Sequence, residues 1–179
     1  MNASLVMTVI GDDRPGLVES VSQAVAAHGG SWQESRMARL AGKFAGVLRI
    51  EVAEEQARDL EVALRELASA GLHIIVESGT QDAEGVTRDL SLELIGGDRP
   101  GIVRDISHTL AERGVNIEEL ATESVDAPMS GGLLFKATAR VRLPPDVSID
   151  DLRQSLEALG HDLMVEISLA DVEGPAPRA

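Results

Sequence analysis

Two four-residue segments, Asp13-Arg14-Pro15-Gly16 and Asp98-Arg99-Pro100-Gly101, carry the residue types in this chain best suited to holding a small polar molecule. Each glycine lets a ligand approach the backbone closely. Each segment leads into a helical apolar period, and the free N–H groups of a helix's first turn favour a carboxylate. Asp13 and Asp98 can accept from an ammonium group, or can serve only as helix caps. A second wall is expected from the residue that opens the next strand, Ser31 or Asn116. An asparagine amide both donates and accepts, which suits a zwitterion. A small amino acid matches these features, and the second segment is favoured because Asn116 stands where the first has Ser31.

The two segments repeat in step with their surroundings. Apolar runs precede them at 5–10 and 90–95, and an apolar period of four follows, Leu17, Val21 and Val25 answered by Ile102, Ile106 and Leu110. The offset is 85 residues throughout this region, so one supersecondary unit has been duplicated.

In the first copy, residues 4–10 read as a central buried strand. Residues 11–14 read as a turn, and a helix runs to about His28, with Pro15 in its first turn, Asp13 as its cap and Gly29-Gly30 at its end. A strand over 31–40 and a tight turn at Ala41-Gly42-Lys43 lead into alternation at Phe44, Gly46, Leu48, Ile50 and Val52. Leu60, Leu64 and Leu67 mark a second helix over 54–70, and a fourth strand covers 72–77.

The second copy predicts strands over 87–95 and 116–125 and a helix over 100–113. Alternation at Leu133, Phe135, Ala137, Ala139, Val141 and Leu143 marks a third strand, and a helix on Leu152, Leu156 and Leu159 follows. Leu163, Val165, Ile167 and Leu169 mark the closing strand. Aligning Phe44 with Phe135 changes the offset to 91, which places six inserted residues in the second hairpin loop, around 126–132.

Each copy is thus β-α-β-β-α-β, an α+β ferredoxin-like plan with an antiparallel sheet and two helices on one face. The expected boundaries are 1–79 for the first domain, 80–86 for a linker, 87–172 for the second domain and 173–179 for a disordered tail. Exposed sheet edges favour self-association into a homo-oligomer.

Composition narrows the function. A formal charge of −14 argues against direct nucleic-acid binding and against an anionic membrane surface. There is no cysteine, which excludes thiolate catalysis, disulfides and Cys-ligated zinc. One Trp, two Phe and no Tyr leave no stacking platform for RNA. His28, His73, His108 and His161 are scattered singly and match no metal-ligand spacing. His28 is placed to stabilise the end of a helix, and His108 to lie on a helix surface. The Gly-rich run at 96–101 lacks the Lys-Ser/Thr pair of a phosphate loop. With no nucleophile elbow or assembled base, no enzyme activity and no cofactor are expected. Neither a basic leader nor a long apolar span is present in the sequence, which points to a cytoplasmic protein.

The motif Asp-Arg-Pro-Gly-(Leu/Ile)-Val opening the first helix, with Gly114-Val115-Asn116-Ile117 after it in the second copy, resembles the ACT domain family across about 4–172. Glu34-Ser35-Arg36-Met37 with Gly42 and Phe44 is similar to a segment of the glycine cleavage system transcriptional repressor group. The resemblance implies a non-enzymatic regulator that binds glycine or a related amino acid where ACT domains pair. It would act on transcription through protein contacts, for example with a DNA-binding activator. The implied site residues are Asp13, Arg14, Pro15, Gly16, Leu17 and Val18 with Ser31 and Trp32, and Asp98, Arg99, Pro100, Gly101, Ile102 and Val103 with Asn116 and Ile117. The first copy departs from the family pattern at Gly30-Ser31-Trp32, where Val-Asn-Ile is usual, and Trp32 can instead be a core or partner contact. A constitutive interaction module with purely structural loops is the alternative reading.

Overall fold

A computed structural model of the chain describes residues 1–79, 87–127 and 132–172. The expected linker and tail, and residues 128–131 of the inserted loop, lie outside the described residues. The chain divides into two compact units, Met1–Ala83 and Glu84–Ala179.

The first unit runs β1 (Asn2–Asp12), α1 (Leu17–Ala27), β2 (Ser31–Leu40), β3 (Lys43–Ala53), α2 (Glu54–Glu66) and β4 (Leu72–Ser78). A short 3-10 turn, Leu67–Ala70, extends α2. The second unit repeats the series with β5 (Arg88–Gly97), α3 (Ile102–Ala111), β6 (Asn116–Asp126), β7 (Leu133–Leu143), α4 (Ile149–Leu163) and β8 (Val165–Asp171). Both sheets are antiparallel, in the orders β2-β3-β1-β4 and β6-β7-β5-β8. This is the ferredoxin-like α+β plan, twice.

The period of two along each strand sends alternate side chains to a helix-covered face. Leu5, Met7 and Val9 of β1 and Leu48, Ile50 and Val52 of β3 meet Leu17, Val21 and Val25 of α1 and Leu60 and Leu64 of α2. Leu90, Leu92 and Leu94 with Ile102, Ile106, Leu110, Leu152 and Leu156 build the second core in the same way. Both cores are aliphatic, and no polar or charged side chain is buried among the described residues.

Three sequence expectations are corrected. β1 is central in its sheet but covered on one face only: Thr8 and Ile10 are exposed, alternating with the buried Met7, Val9 and Gly11. Pro15 precedes α1 instead of lying in its first turn, because Gly16 takes a left-handed conformation (φ 90°) that must come before the helix begins at Leu17. Leu163 is the last residue of α4, not the first of β8, and Met164 turns the chain at φ 54°.

Local signals explain the remaining ends. Gly30 N–H donates to Val25 O and Gly29 N–H to Ala26 O, a Schellman ending with Gly29 at φ 66°. His28 Nδ1 donates to the carbonyl of Ala24 at 2.8 Å, which satisfies a last-turn acceptor of α1. Ala41 and Gly42 both have positive φ, the two-residue turn whose twist matches a β-hairpin. The second hairpin is longer: its ladder closes at Asp126–Leu133, and Ala127 N–H donates to Gly132 O.

Candidate functional site

The β1–α1 and β5–α3 loops are built alike. The N–H of Asp13 donates to Gly42 O at 2.9 Å, and that of Asp98 to Leu133 O at 2.9 Å, which ties each loop to its neighbouring hairpin. Gly16 (φ 90°) and Gly101 (φ 100°) cap the two helices with backbone alone. The carbonyl of each accepts the first helical bond, from Ser20 N–H and Asp105 N–H. By contrast α4 has a side-chain cap, Ser148 Oγ accepting from Asp151 N–H. The first-turn amides of α1 and α3 therefore keep the unpaired donors that every helix start leaves.

Asp13 and Asp98 are not these caps, which corrects the expectation for Asp13. Asp13 Oδ2 accepts from Arg39 Nε on β2 at 2.5 Å, and Asp98 Oδ2 accepts from Ser124 Oγ on β6 at 3.0 Å. Neither Arg39 nor Ser124 was among the residues expected from sequence, although their spacing from the two aspartates is the same in both copies. Arg14 donates to the carbonyl of Ala70 and so fastens the first loop to the end of the 3-10 turn.

The two helix starts differ in charge. Glu19 stands in the first turn of α1, and its carboxylate accepts from Gln23. Arg104 stands at the matching position of α3, donating through Nε to Asp105 Oδ1 at 2.8 Å. This hydrogen bond holds the Asp105 carboxyl below its ordinary pKa, with the charges of Arg104, Arg99 and His108 adding to it, and raises that of Arg104. A Cβ placed on Gly101 would lie 3.2 Å from Arg104 Nη2 and 3.7 Å from Asp105 Oδ2, whereas one on Gly16 would have only Glu19 Oε2, at 4.0 Å, as neighbour. The second helix start thus combines backbone donors with the guanidinium groups of Arg99 and Arg104.

The remaining expected residues are dispersed. Leu17 and Ile102 are buried in their cores and offer a ligand only backbone, while Val18 and Val103 are exposed on their helices. Pro15 and Pro100 are exposed in the loops. Within one domain, Ser31 and Asn116 do not meet the loops. Asn116 pairs with Arg142, which pairs with Asp89, whereas the loop follows Gly97 at the other end of β5. Eight residues separate those rows, roughly 26 Å of strand. In the first domain Ser31 lines up with Glu51 and Ser4, again eight residues from Asp12. The amide of Asn116 is turned onto Glu118 Oε1. Trp32 and Ile117 pack against the cores of their own domains, and Trp32 Nε1 donates to Ser35 Oγ at 3.3 Å. Among the described residues no group of three or more His, Cys, Asp or Glu could hold a metal ion.

Two ferredoxin-like units in tandem, each with a glycine-opened first helix, define a duplicated α+β module of two helices on an antiparallel sheet. The ACT domain model matches the chain at residues 3–77 and 88–170, and the chain belongs to the ACT domain family, in two copies. A protein of unknown function from Galdieria sulphuraria shares 31% identity and the whole architecture, with a TM-score of 0.82 over 96% of this chain and 99% of that one. A candidate glycine cleavage system transcriptional repressor superposes with a TM-score of 0.71 at 19% identity, over 97% of this chain and 99% of that one, a likeness of fold. The UPF0237 protein of Methanopyrus kandleri is 39% identical over 75 residues, covering 41% of this chain and 77% of that protein.

Proposed function

We propose that this protein is a non-enzymatic regulator that binds a small amino acid, glycine or a near relative, at the start of α3 and passes that state to a protein partner. The observation that carries the reading is the backbone-only cap at Gly101, which leaves first-turn donors beside Arg99 and Arg104. Backbone donors at a helix start favour a carboxylate, and the two guanidinium groups strengthen that preference. The start of α1 carries Glu19 instead, so the second domain is the better site. Asn116 and Ile117 lie too far along the sheet to complete the site from within their own domain, and a second copy of the chain can supply them. The implied partner is a DNA-binding transcription activator, because a chain of formal charge −14 is ill suited to hold DNA. Binding that differs tenfold between two states of the protein shifts their balance by about 1.4 kcal/mol.

Titration of ¹⁵N-labelled protein with glycine, alanine and serine tests this. Saturable shifts of the Gly101, Ile102 and Val103 amides are expected, and their absence with every amino acid tried would remove the reading. One observation favours the alternative of a constitutive interaction module: Arg104 and Asp105 already border the space above Gly101. On that reading, capture of the native partner is the same with and without glycine.

A further inference from the structure

The two sheets are copies of one plan, yet their open faces differ in kind. Antiparallel register places Arg36, Val47, Thr8 and Ile75 in one row across the first sheet, and Ala38, Ala45, Ile10 and His73 in the next. Val47 is 48% exposed, Ile75 64%, Ile10 45% and Leu40, at the hairpin end of the same face, 79%. The matching rows of the second sheet are Ala121, Thr138, Glu93 and Ser168, then Glu123, Lys136, Ile95 and Glu166. Ion pairs lace that second face, Arg140 with Glu119, Lys136 with Glu123 and Arg142 with Asp89. The second face is what a solvated side of an antiparallel sheet should be. The first has Thr8 where the second has Glu93, Val47 for Thr138 and Ile75 for Ser168.

The geometry points to the open face of the β2-β3-β1-β4 sheet as an interface with the same face of a second copy of this chain, related by a two-fold axis near Thr8. Four strands spaced about 4.8 Å apart and roughly 30 Å long give a face of about 570 Å² in plan. Side-chain relief brings its accessible area toward the ~800 Å² per partner of a stable dimer. A two-fold axis crossing the strands lays the row of Thr8 on its own copy, with Val47, Thr8 and Ile75 self-facing and Arg36 meeting its own copy only at the outer strand β2. It also sets the row of Ile10 and His73 over the partner row of Val6 and Glu77, so that His73 of each copy lies over Glu77 of the other. Arg49, a further charge on this face, is already paired with Glu34 and Glu51 of its own chain. The uncharged Val47 and Thr8 therefore meet their own copies on the central strands β3 and β1, and the like charges of Arg36 fall at the β2 edge.

Sedimentation velocity across a concentration series tests this with the full chain, Thr8→Glu, and Glu93→Thr as control. Thr8→Glu gives the first face the charge that the second carries, at an exposed position. Wild type and Glu93→Thr should dimerise, and Thr8→Glu should weaken association at least tenfold. The chain has no cysteine, so Thr8→Cys creates a single thiol. A short bis-maleimide should cross-link Thr8→Cys into covalent dimers and leave Glu93→Cys without a cross-link, which decides the matter even if the glutamate variant misfolds. A monomeric wild type would overturn the inference. So would a dimer untouched by Thr8→Glu with no cross-link at position 8, which would assign dimerisation to another surface and leave the proposed ligand site standing.

Discussion

Asp13 accepts the Nε–H of Arg39 at 2.5 Å across 26 residues of chain, and at the same separation Asp98 accepts the hydroxyl of Ser124. The partner has changed from a cation to a hydroxyl while the clasp between the helix-leading loop and the second strand of each domain remains. The Arg39 side chain is 69% exposed, so the ion pair contributes little to stability. Exposed pairs are worth about 0–1 kcal/mol. Asp13→Ala and Arg39→Ala should each cost less than about 1 kcal/mol, and the double variant less than their sum. Urea unfolding of the four proteins checks this; strict additivity would show that the pair does not form in solution.

Met164 and Gly71 occupy matching turns before the last strand of each domain, at φ 54° and 79°. A side chain with a Cβ is disfavoured there, and that of Met164 is almost wholly solvated, so nothing offsets the cost. Met164→Gly should stabilise the protein by about 0.5–1 kcal/mol, the relief of left-handed strain less the entropy a glycine adds to the unfolded chain. A lower melting temperature would mean that Met164 makes a contact that the glycine loses.

Trp32 packs against the first core, so its removal should act on stability and not on ligand binding. Full burial makes such a truncation cost about 3–5 kcal/mol, and for this half-buried ring about 2–3 kcal/mol is expected. Thermal unfolding of Trp32→Ala followed by circular dichroism measures it. An unchanged melting temperature together with lost amino-acid binding would make Trp32 a ligand contact after all.

The strands and the duplication were legible because period-two alternation is a direct consequence of having one covered face. Leu133, Phe135, Ala137, Ala139, Val141 and Leu143 all fall on one strand, β7, as their spacing implies. Helix starts were less legible. Asp-Arg-Pro-Gly reads equally as a capped helix with proline in its first turn, and only the positive φ of Gly16 moves the start to Leu17. Leu163 fits a helical period with Leu152, Leu156 and Leu159 and also a strand alternation with Val165, so spacing alone could not assign it. The inward turn of Trp32 depends on a register shift between Trp32 and Glu34, a bulge for which the residues give no signal. Partners such as Arg39 and Ser124 require the register itself, which single-sequence periodicity does not supply.

Acid should act through exposed ion pairs. Lys43 holds Asp12 below the ordinary carboxylate pKa, Arg104 does the same for Asp105, and Arg88, bound to both oxygens of Asp171, for that residue. A lowered folded-state pKa gives stability that is present above the unfolded value, near about 3.9, and lost as pH falls through the folded one. These three groups therefore leave stability level from about pH 5 to 8 and reduce it modestly below about pH 4. Arg88→Ala should flatten part of that acid limb. A stability that rose on acidification below pH 4 would contradict the sign.

Isothermal titration calorimetry of the full chain with a panel of small amino acids bears most directly on the regulatory reading, with Arg99→Ala, Arg104→Ala and Arg14→Ala run alongside. Saturable heat is expected with glycine or a close relative, weakened at least tenfold by Arg99→Ala or Arg104→Ala and unchanged by Arg14→Ala, whose guanidinium only fastens the first loop to Ala70. No heat with any amino acid, or binding indifferent to both arginines of the second loop, would contradict it.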